Sequence, residues 1–202
     1  MTAALFAALL GLGMGLRHAF EPDHVTAVAT MVARERSARS TLRYAAAWGA
    51  GHAAILVLVA CVLVALRAQM PERLSLAFEI AVGVVLVALG VRALSPSKDE
   101  HAHHHGRPFA VGVVHGLAGS GALTALALAQ TPDPRAAIGS VALYGVGAIV
   151  GMSLLAGAAG PLLARASRAP RVRRGLVLVA GLGSVAFGLF WGVKSALALV
   201  QL

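Results

Sequence analysis

Six long apolar runs constrain this chain more than any other feature of its sequence. Runs of about 20 apolar residues are typical of membrane spans. A span must be helical, because lipid offers its backbone no hydrogen-bond partner. We therefore predict an all-α, polytopic membrane protein with six transmembrane helices. A soluble bundle of buried helices is the alternative, but with 58% hydrophobic residues little polar sequence remains to cover its surface. The runs are roughly 2–32, 44–66, 74–94, 109–130, 136–164 and 175–202.

The basic residues between these runs predict how the spans are oriented. The first, third and fifth connections hold twelve arginines and lysines, and the second and fourth hold three. Basic connections stay on the cytoplasmic side, so we place both termini outside, in a multi-pass protein of the bacterial inner membrane. The net charge of +9 then reflects arginine-rich cytoplasmic loops of a protein embedded in the lipid bilayer, and we expect no nucleic-acid partner. We expect the first run to be a retained span rather than a signal peptide.

Several function classes are excluded by what the sequence lacks. Its one cysteine, Cys61, permits neither an internal disulfide nor a C-x-x-C redox pair. It contains no G-x-x-x-x-G-K-S/T phosphate loop, so we expect no ATP-driven transport. We expect a protein that is not an enzyme.

The two halves of the chain resemble each other at an offset of 96 to 98 residues. Trp48 and Tyr144 each begin an aromatic-Gly-x-Gly motif, and His18 and His115 each precede that motif by about 30 residues. Two glycines seven residues apart recur in the third and sixth runs: Gly83 and Gly90, and Gly181 and Gly188.

An odd number of spans in each half inverts the second half relative to the first. This is the inverted-repeat plan of many secondary transporters, whose site lies at the repeat interface. We predict a first three-helix repeat over 1–95, a cytoplasmic histidine-rich linker over 96–108 and a second three-helix repeat over 109–202.

The first apolar run contains a polar stretch, RHAFEPDHV, over residues 17–25. An ionisable group within a span costs about 2.5–3.5 kcal/mol on insertion scales, so such groups usually mark a functional site. Imidazole and carboxylate groups together suit divalent transition metals. The alternatives are a buried polar network without a ligand and a solvated helix end. The candidate metal ligands are His18, Glu21, Asp23 and His24.

Pro22 predicts an irregular backbone within this stretch. On an ideal helix, Glu21 lies with His18 and His24 on an arc of about 120°. Asp23 would then lie on another face. Pro22 cannot donate to the His18 carbonyl, so we predict that this carbonyl is free and that the helix kinks or unwinds. The break would bring Asp23 to the histidines, either as a ligand or as a partner that orients an imidazole.

Two more histidines lie within apolar runs, His52 in the second and His115 in the fourth. A lone intramembrane histidine can bind metal, hydrogen-bond between helices or relay protons, so its role is open. Together with the polar stretch, we expect both to line the same pathway as candidate metal ligands.

Three segments resemble a known family. RHAFEPDH closely resembles the signature of the nickel/cobalt permeases, and GHAAILVL, which contains His52, resembles their second motif. HGLAGSGALTAL is similar to the short, six-span, urease-operon type branch of this superfamily. Glu21 and Pro22 replace a commoner Asp and Ala, and a later Phe-Asp-Thr-Ala-Thr-Glu type motif is absent.

This resemblance implies uptake of nickel, or cobalt, by a secondary permease, with His18, Asp23 and His24 recognising the metal. The Ni²⁺ or Co²⁺ ion would be a transported substrate, with no cofactor permanently bound. An indirect link to nickel enzymes such as urease or hydrogenase is implied, and homo-oligomer formation is left open. The alternatives are nickel or cobalt efflux, a haem-binding membrane redox protein, and a scaffold for metalloenzyme maturation.

The predicted linker contains four histidines, His101, His103, His104 and His105. Short histidine-rich tracts bind metal, and a plain flexible linker is the alternative. We expect the tract to buffer metal rather than to form the transport site.

Overall fold

The computed structural model describes residues 2–32, 38–95, 106–130, 133–166 and 169–202. These residues form helices joined by short connections, and no strand occurs among them. The prediction of an all-α chain is therefore confirmed for the described part. The helices are α1 Thr2–His18, α2 Pro22–Val32, α3 Ala38–Leu66, α4 Glu72–Leu94, α5 Gly106–Gln130, α6 Pro134–Ala166 and α7 Pro170–Val200.

Four of these helices are long and apolar enough to cross a membrane, with mean hydropathies between 1.9 and 2.4. The described part of the chain is thus that of a helical membrane protein. The full count of six spans stays a prediction. The four segments are Arg39–Leu66, Glu72–Leu94, Pro134–Pro161 and Pro170–Val200.

Some helices extend beyond the predicted apolar runs. The α3 helix begins at Ala38 instead of 44, and α7 begins at Pro170 instead of 175. The predicted bounds followed hydropathy, whereas helical hydrogen bonding continues into the basic residues that reach beyond the lipid. The α5 helix begins at Gly106, inside the predicted linker of 96–108. The histidine tract of 101–105 lies outside the described residues.

The first apolar run is two helices rather than one. The α1 helix ends at His18, and Pro22 is the first residue of α2, where its missing N–H costs nothing. The predicted break at Pro22 is therefore present. The predicted free carbonyl is wrong, because the Glu21 N–H donates to the His18 carbonyl at 2.9 Å. This tight turn satisfies the carbonyl within the break itself.

Four helices pack side by side in the order α1, α6, α3, α5, with glycines at the contacts. A side chain at Gly15 of α1 would overlap the Tyr144 carbonyl of α6, and one at Gly112 of α5 would overlap the Trp48 carbonyl of α3. Small residues let membrane helices approach closely in this way. We refer to these four helices as the central layer.

The remaining long helices, α4 and α7, form a pair of their own. A methyl group at Gly83 would lie 2.8 Å from the Gly188 carbonyl oxygen, so the two backbones are nearly in contact. The Ser184 hydroxyl donates to the Leu86 carbonyl across the pair at 2.7 Å. The short α2 helix packs against α4, α6 and α7. The break after α1 thus places the start of α2 between the pair and the central layer.

Candidate metal centre

Four histidine rings from four different helices meet inside the described part of the chain. His18 ends α1, and His24 lies in the first turn of α2 with its ring centroid 4.3 Å away. The His52 ring of α3 lies 5.1 Å from that of His24, and the His115 ring of α5 lies 5.5 Å from it. The structure therefore brings together all four histidines that the sequence singled out within apolar runs.

Three of these rings are almost completely buried, and their nitrogens have no hydrogen-bond partners among the described residues. His24 is 1% exposed, His52 is 0% exposed and His115 is 2% exposed. An unsatisfied buried polar group costs about 1–3 kcal/mol. Three adjacent rings in this state are suited to a ligand that accepts their lone pairs, as a metal ion does.

Two overlapping groups have ligand atoms close enough to hold one ion. His18, His24 and His52 each offer an atom within 4.8 Å of the others, and so do Glu21, Asp23 and His24. Two nitrogens on a zinc-like ion lie at most about 4.2 Å apart, twice the metal–nitrogen distance. A small inward movement of the rings is enough to close the first group around an ion. His24 belongs to both groups and is the centre of the arrangement.

The carboxylates also lie where they can orient the histidines. Glu21 Oε2 lies 2.9 Å from His18 Nδ1, and Asp23 Oδ1 lies 3.0 Å from His24 Nδ1. The second pair lies at hydrogen-bond distance but does not meet hydrogen-bond geometry in this arrangement. A carboxylate at Nδ1 favours the tautomer whose Nε2 lone pair is free for metal. Asp23 thus lies where it can take either predicted role, ligand or orienting partner, and Glu21 lies where it can act as the predicted ligand.

The break between the helices explains this placement. Because α1 stops at His18 and α2 restarts at Pro22, side chains that would diverge on one straight helix converge on a single point. Asp23 lies in the first turn of α2, where the positive end of the helix dipole favours a negative charge.

The site is closed on one side and open on the other. The Glu21 side chain is 53% exposed and Asp23 is 24% exposed, whereas His24 is buried. Arg17 is also exposed beside the break. The accessible carboxylates therefore form a polar entrance, and the histidines of α3 and α5 form the interior wall.

Two aromatic residues complete the site, and sequence reasoning did not assign them to it. The Trp48 ring lies 5.4 Å from His24 and 5.5 Å from His115, and the Tyr144 ring lies 5.3 Å from His18. Both begin the repeated aromatic-Gly-x-Gly motif. The sequence feature that could have assigned them to the site is their matching position in the two halves. That match was interpreted only as evidence of a repeat.

Comparisons with known proteins agree with a metal-handling membrane protein. The family model described as HupE / UreJ protein matches residues 3–195. The urease accessory protein UreH of Bacillus sp. (strain TB-90) is 26% identical over 201 residues, with 90% of this chain and 88% of UreH covered. No solved structure matches the chain.

Proposed function

Since this chain belongs to the HupE/UreJ family, we propose that it carries a divalent transition-metal ion, nickel or cobalt, across the bacterial inner membrane. One observation supports this above all: His18, His24 and His52 come from three helices, and their ligand atoms lie within 4.8 Å of one another in the interior. A urease accessory protein among its relatives fits nickel. The link to urease or another nickel enzyme would then be indirect, through supply of the ion.

The proposed binding set is His18, His24 and His52 with Asp23 and Glu21. Imidazole nitrogens suit nickel, cobalt and zinc, whereas calcium and magnesium prefer oxygen ligands alone. The two carboxylates carry two negative charges, which offset the charge of one divalent ion. This balance lowers the cost of holding the ion away from water.

We further propose six spans arranged as two inverted three-helix repeats over 1–95 and 109–202. The supporting observation is that close contacts occur in pairs related by the sequence offset of 96 to 98. In these pairs, a contact between helices of different halves has a counterpart in which the halves exchange roles. Such pairs are Gly15–Tyr144 with Gly112–Trp48, Gly147–Leu12 with Gly51–Phe109, and Gly83–Gly188 with Gly90–Gly181.

The proposed direction is inward, driven by the membrane potential, with both termini outside. At −100 mV a divalent cation gains roughly 4.6 kcal/mol on entering the cell, twice the value for a single charge. Inward transport of this ion therefore requires no ATP.

The test is accumulation of radioactive nickel in cells that express equal amounts of each variant. We expect His24→Ala and His18→Ala to reduce accumulation to that of cells lacking the protein, because each removes a proposed ligand. Cys61→Ser is the matched control, since Cys61 is outside both groups of candidate ligands, and should retain uptake. Normal accumulation in His24→Ala would refute the proposed site. Lower accumulation and better growth in high nickel with the wild type would instead indicate efflux.

A further inference from the structure

The Trp48 side chain needs a hydrogen-bond acceptor, which a bare metal ion cannot be. Trp48 is 0% exposed, and its Nε1–H has no hydrogen-bond partner among the described residues. Buried indole N–H groups usually have a partner, and leaving one without a partner costs about 1–3 kcal/mol. The ring lies against His24 and, at an interplanar angle of 87°, against His115. The unpartnered donor thus belongs to a residue that lines the histidine cluster.

The chemistry of the indole limits what the partner can be. Its N–H is a donor only, so a cation cannot bind there and is repelled by the positive hydrogen. The neighbouring ring nitrogens of His24 and His115 have no hydrogen-bond partners either, so neither accepts from Trp48 in this arrangement. An acceptor that arrives with the ion would supply the missing partner.

We infer that Trp48 recognises a water molecule that remains coordinated to the transported ion. This inference rests on the proposed function and identifies the form in which the ion is bound. The water oxygen has two lone pairs, of which one binds the metal and the other accepts from Trp48 Nε1. Its hydrogens are available to His115, whose ligand atoms are not among the three-histidine group. Trp48 and His115 then select a partly hydrated ion.

Charge favours water over an anion as this ligand. Glu21 and Asp23 already offset a divalent ion within the group that includes His24. A bound anion would add an uncompensated negative charge to a largely buried site, where charges are costly. A neutral oxygen ligand adds no such cost.

The decisive variant is Trp48→Phe, which keeps an aromatic ring and removes the N–H. The chain has two tryptophans, so Trp191→Phe in α7, where the ring stacks on Phe187, is a matched control. Each full-length purified protein is titrated with Co²⁺, following the visible absorption that reports its coordination number. We expect Trp48→Phe to bind Co²⁺ about 5- to 10-fold more weakly, the value of one hydrogen bond. We also expect stronger absorption, because the ion has fewer ligands.

The control should match the wild type in both affinity and absorption. An unchanged affinity and spectrum in Trp48→Phe would overturn the inference. The titration is repeated with chloride replaced by nitrate, and a spectrum that depends on the anion would show that an anion occupies the proposed water position.

A second measurement keeps Trp48 in place, so it does not require that the Trp48→Phe variant folds. In ¹⁵N-tryptophan-labelled Trp191→Phe protein, the remaining indole signal belongs to Trp48. Addition of Zn²⁺ should shift its N–H proton downfield as the hydrogen bond forms. Metal binding without a shift would refute the role of Trp48 and leave the proposed function intact. Absence of any Co²⁺, Ni²⁺ or Zn²⁺ binding to the wild type would refute the proposed function itself.

Discussion

The two halves of this chain share packing positions but differ in their polar residues. His18 of the first half corresponds to His115 of the second, and both face the same cluster. The other ionisable residues of the site correspond to residues of the second half that are not ionisable. At an offset of 97, Asp23 corresponds to Ser120 and His24 to Gly121, and at the offset of 96 that relates Trp48 to Tyr144, His52 corresponds to Ala148.

The backbone differs at the same place. Pro22 corresponds to Gly119, and α5 continues unbroken through that position from Gly106 to Gln130. Only the first half therefore has the helix break that turns Asp23 and His24 toward the centre. The comparison teaches that packing and chemistry are separable here: glycine contacts recur in both halves, while nearly all ligand candidates lie in one.

The largest expected difference in nickel binding is between variants of His52 and His115. We expect His52→Ala to abolish nickel binding measured by calorimetry, because it removes one of three converging nitrogens in the protein interior. His115→Ala should weaken binding roughly tenfold, the loss expected for a group that orients a ligand rather than binding metal directly. Equal losses would place His115 among the direct ligands and make the site more symmetric than we propose.

Substitutions at the glycine contacts test whether the two halves depend equally on close helix packing. We expect Gly15→Val and Gly112→Val each to destabilise the protein by about 1–3 kcal/mol, because each side chain would meet a carbonyl of the neighbouring helix. Thermal unfolding in detergent measures the effect. Gly13→Ala and Gly119→Ala are matched controls, since nothing lies within 4 Å of an added Cβ at either position. Destabilisation by only one of the two valine variants would contradict the proposed equivalence of the halves.

A third comparison is between Asp23 and its counterpart Ser120. We expect Asp23→Asn to weaken nickel binding about 10- to 100-fold, the usual effect of losing a carboxylate that orients a metal-binding histidine. Ser120→Ala should leave binding within about twofold, because the Ser120 hydroxyl donates to the Leu117 carbonyl of its own helix. Calorimetry on the two variants side by side gives the comparison. A large loss in Ser120→Ala would mean that the second half also contributes to the ion site.

Much of the site followed from the sequence, because its cause is local. Pro22 within an apolar run predicts a helix break. Because of the break, Asp23 and His24 do not lie on a continuation of α1. The cost of ionisable groups in lipid then requires that they gather with other polar side chains, which pointed to His52. The helix bounds were less accurate, because hydropathy marks the lipid boundary rather than the end of backbone hydrogen bonding.

The packing order of the helices could not be obtained this way. A glycine in an apolar run indicates a close neighbour but does not identify it, so nothing in the sequence placed Gly15 against Tyr144 or Gly112 against Trp48. For the same reason the aromatic rings were not assigned to the histidine cluster. Their contacts depend on which helix lies opposite, and that is decided by the whole assembly.

The glycine contacts also have a consequence for biosynthesis. In the central layer, α1 contacts α6 and α3 contacts α5, so the closest contacts join an early helix to a late one. During translation, α1 and α3 leave the ribosome before α5 and α6, so their glycine faces have no partner helix until the second half of the chain is made. Neither half is then a folding unit, and a chain truncated after the linker should be degraded. The two halves made as separate polypeptides should instead assemble and restore a stable complex.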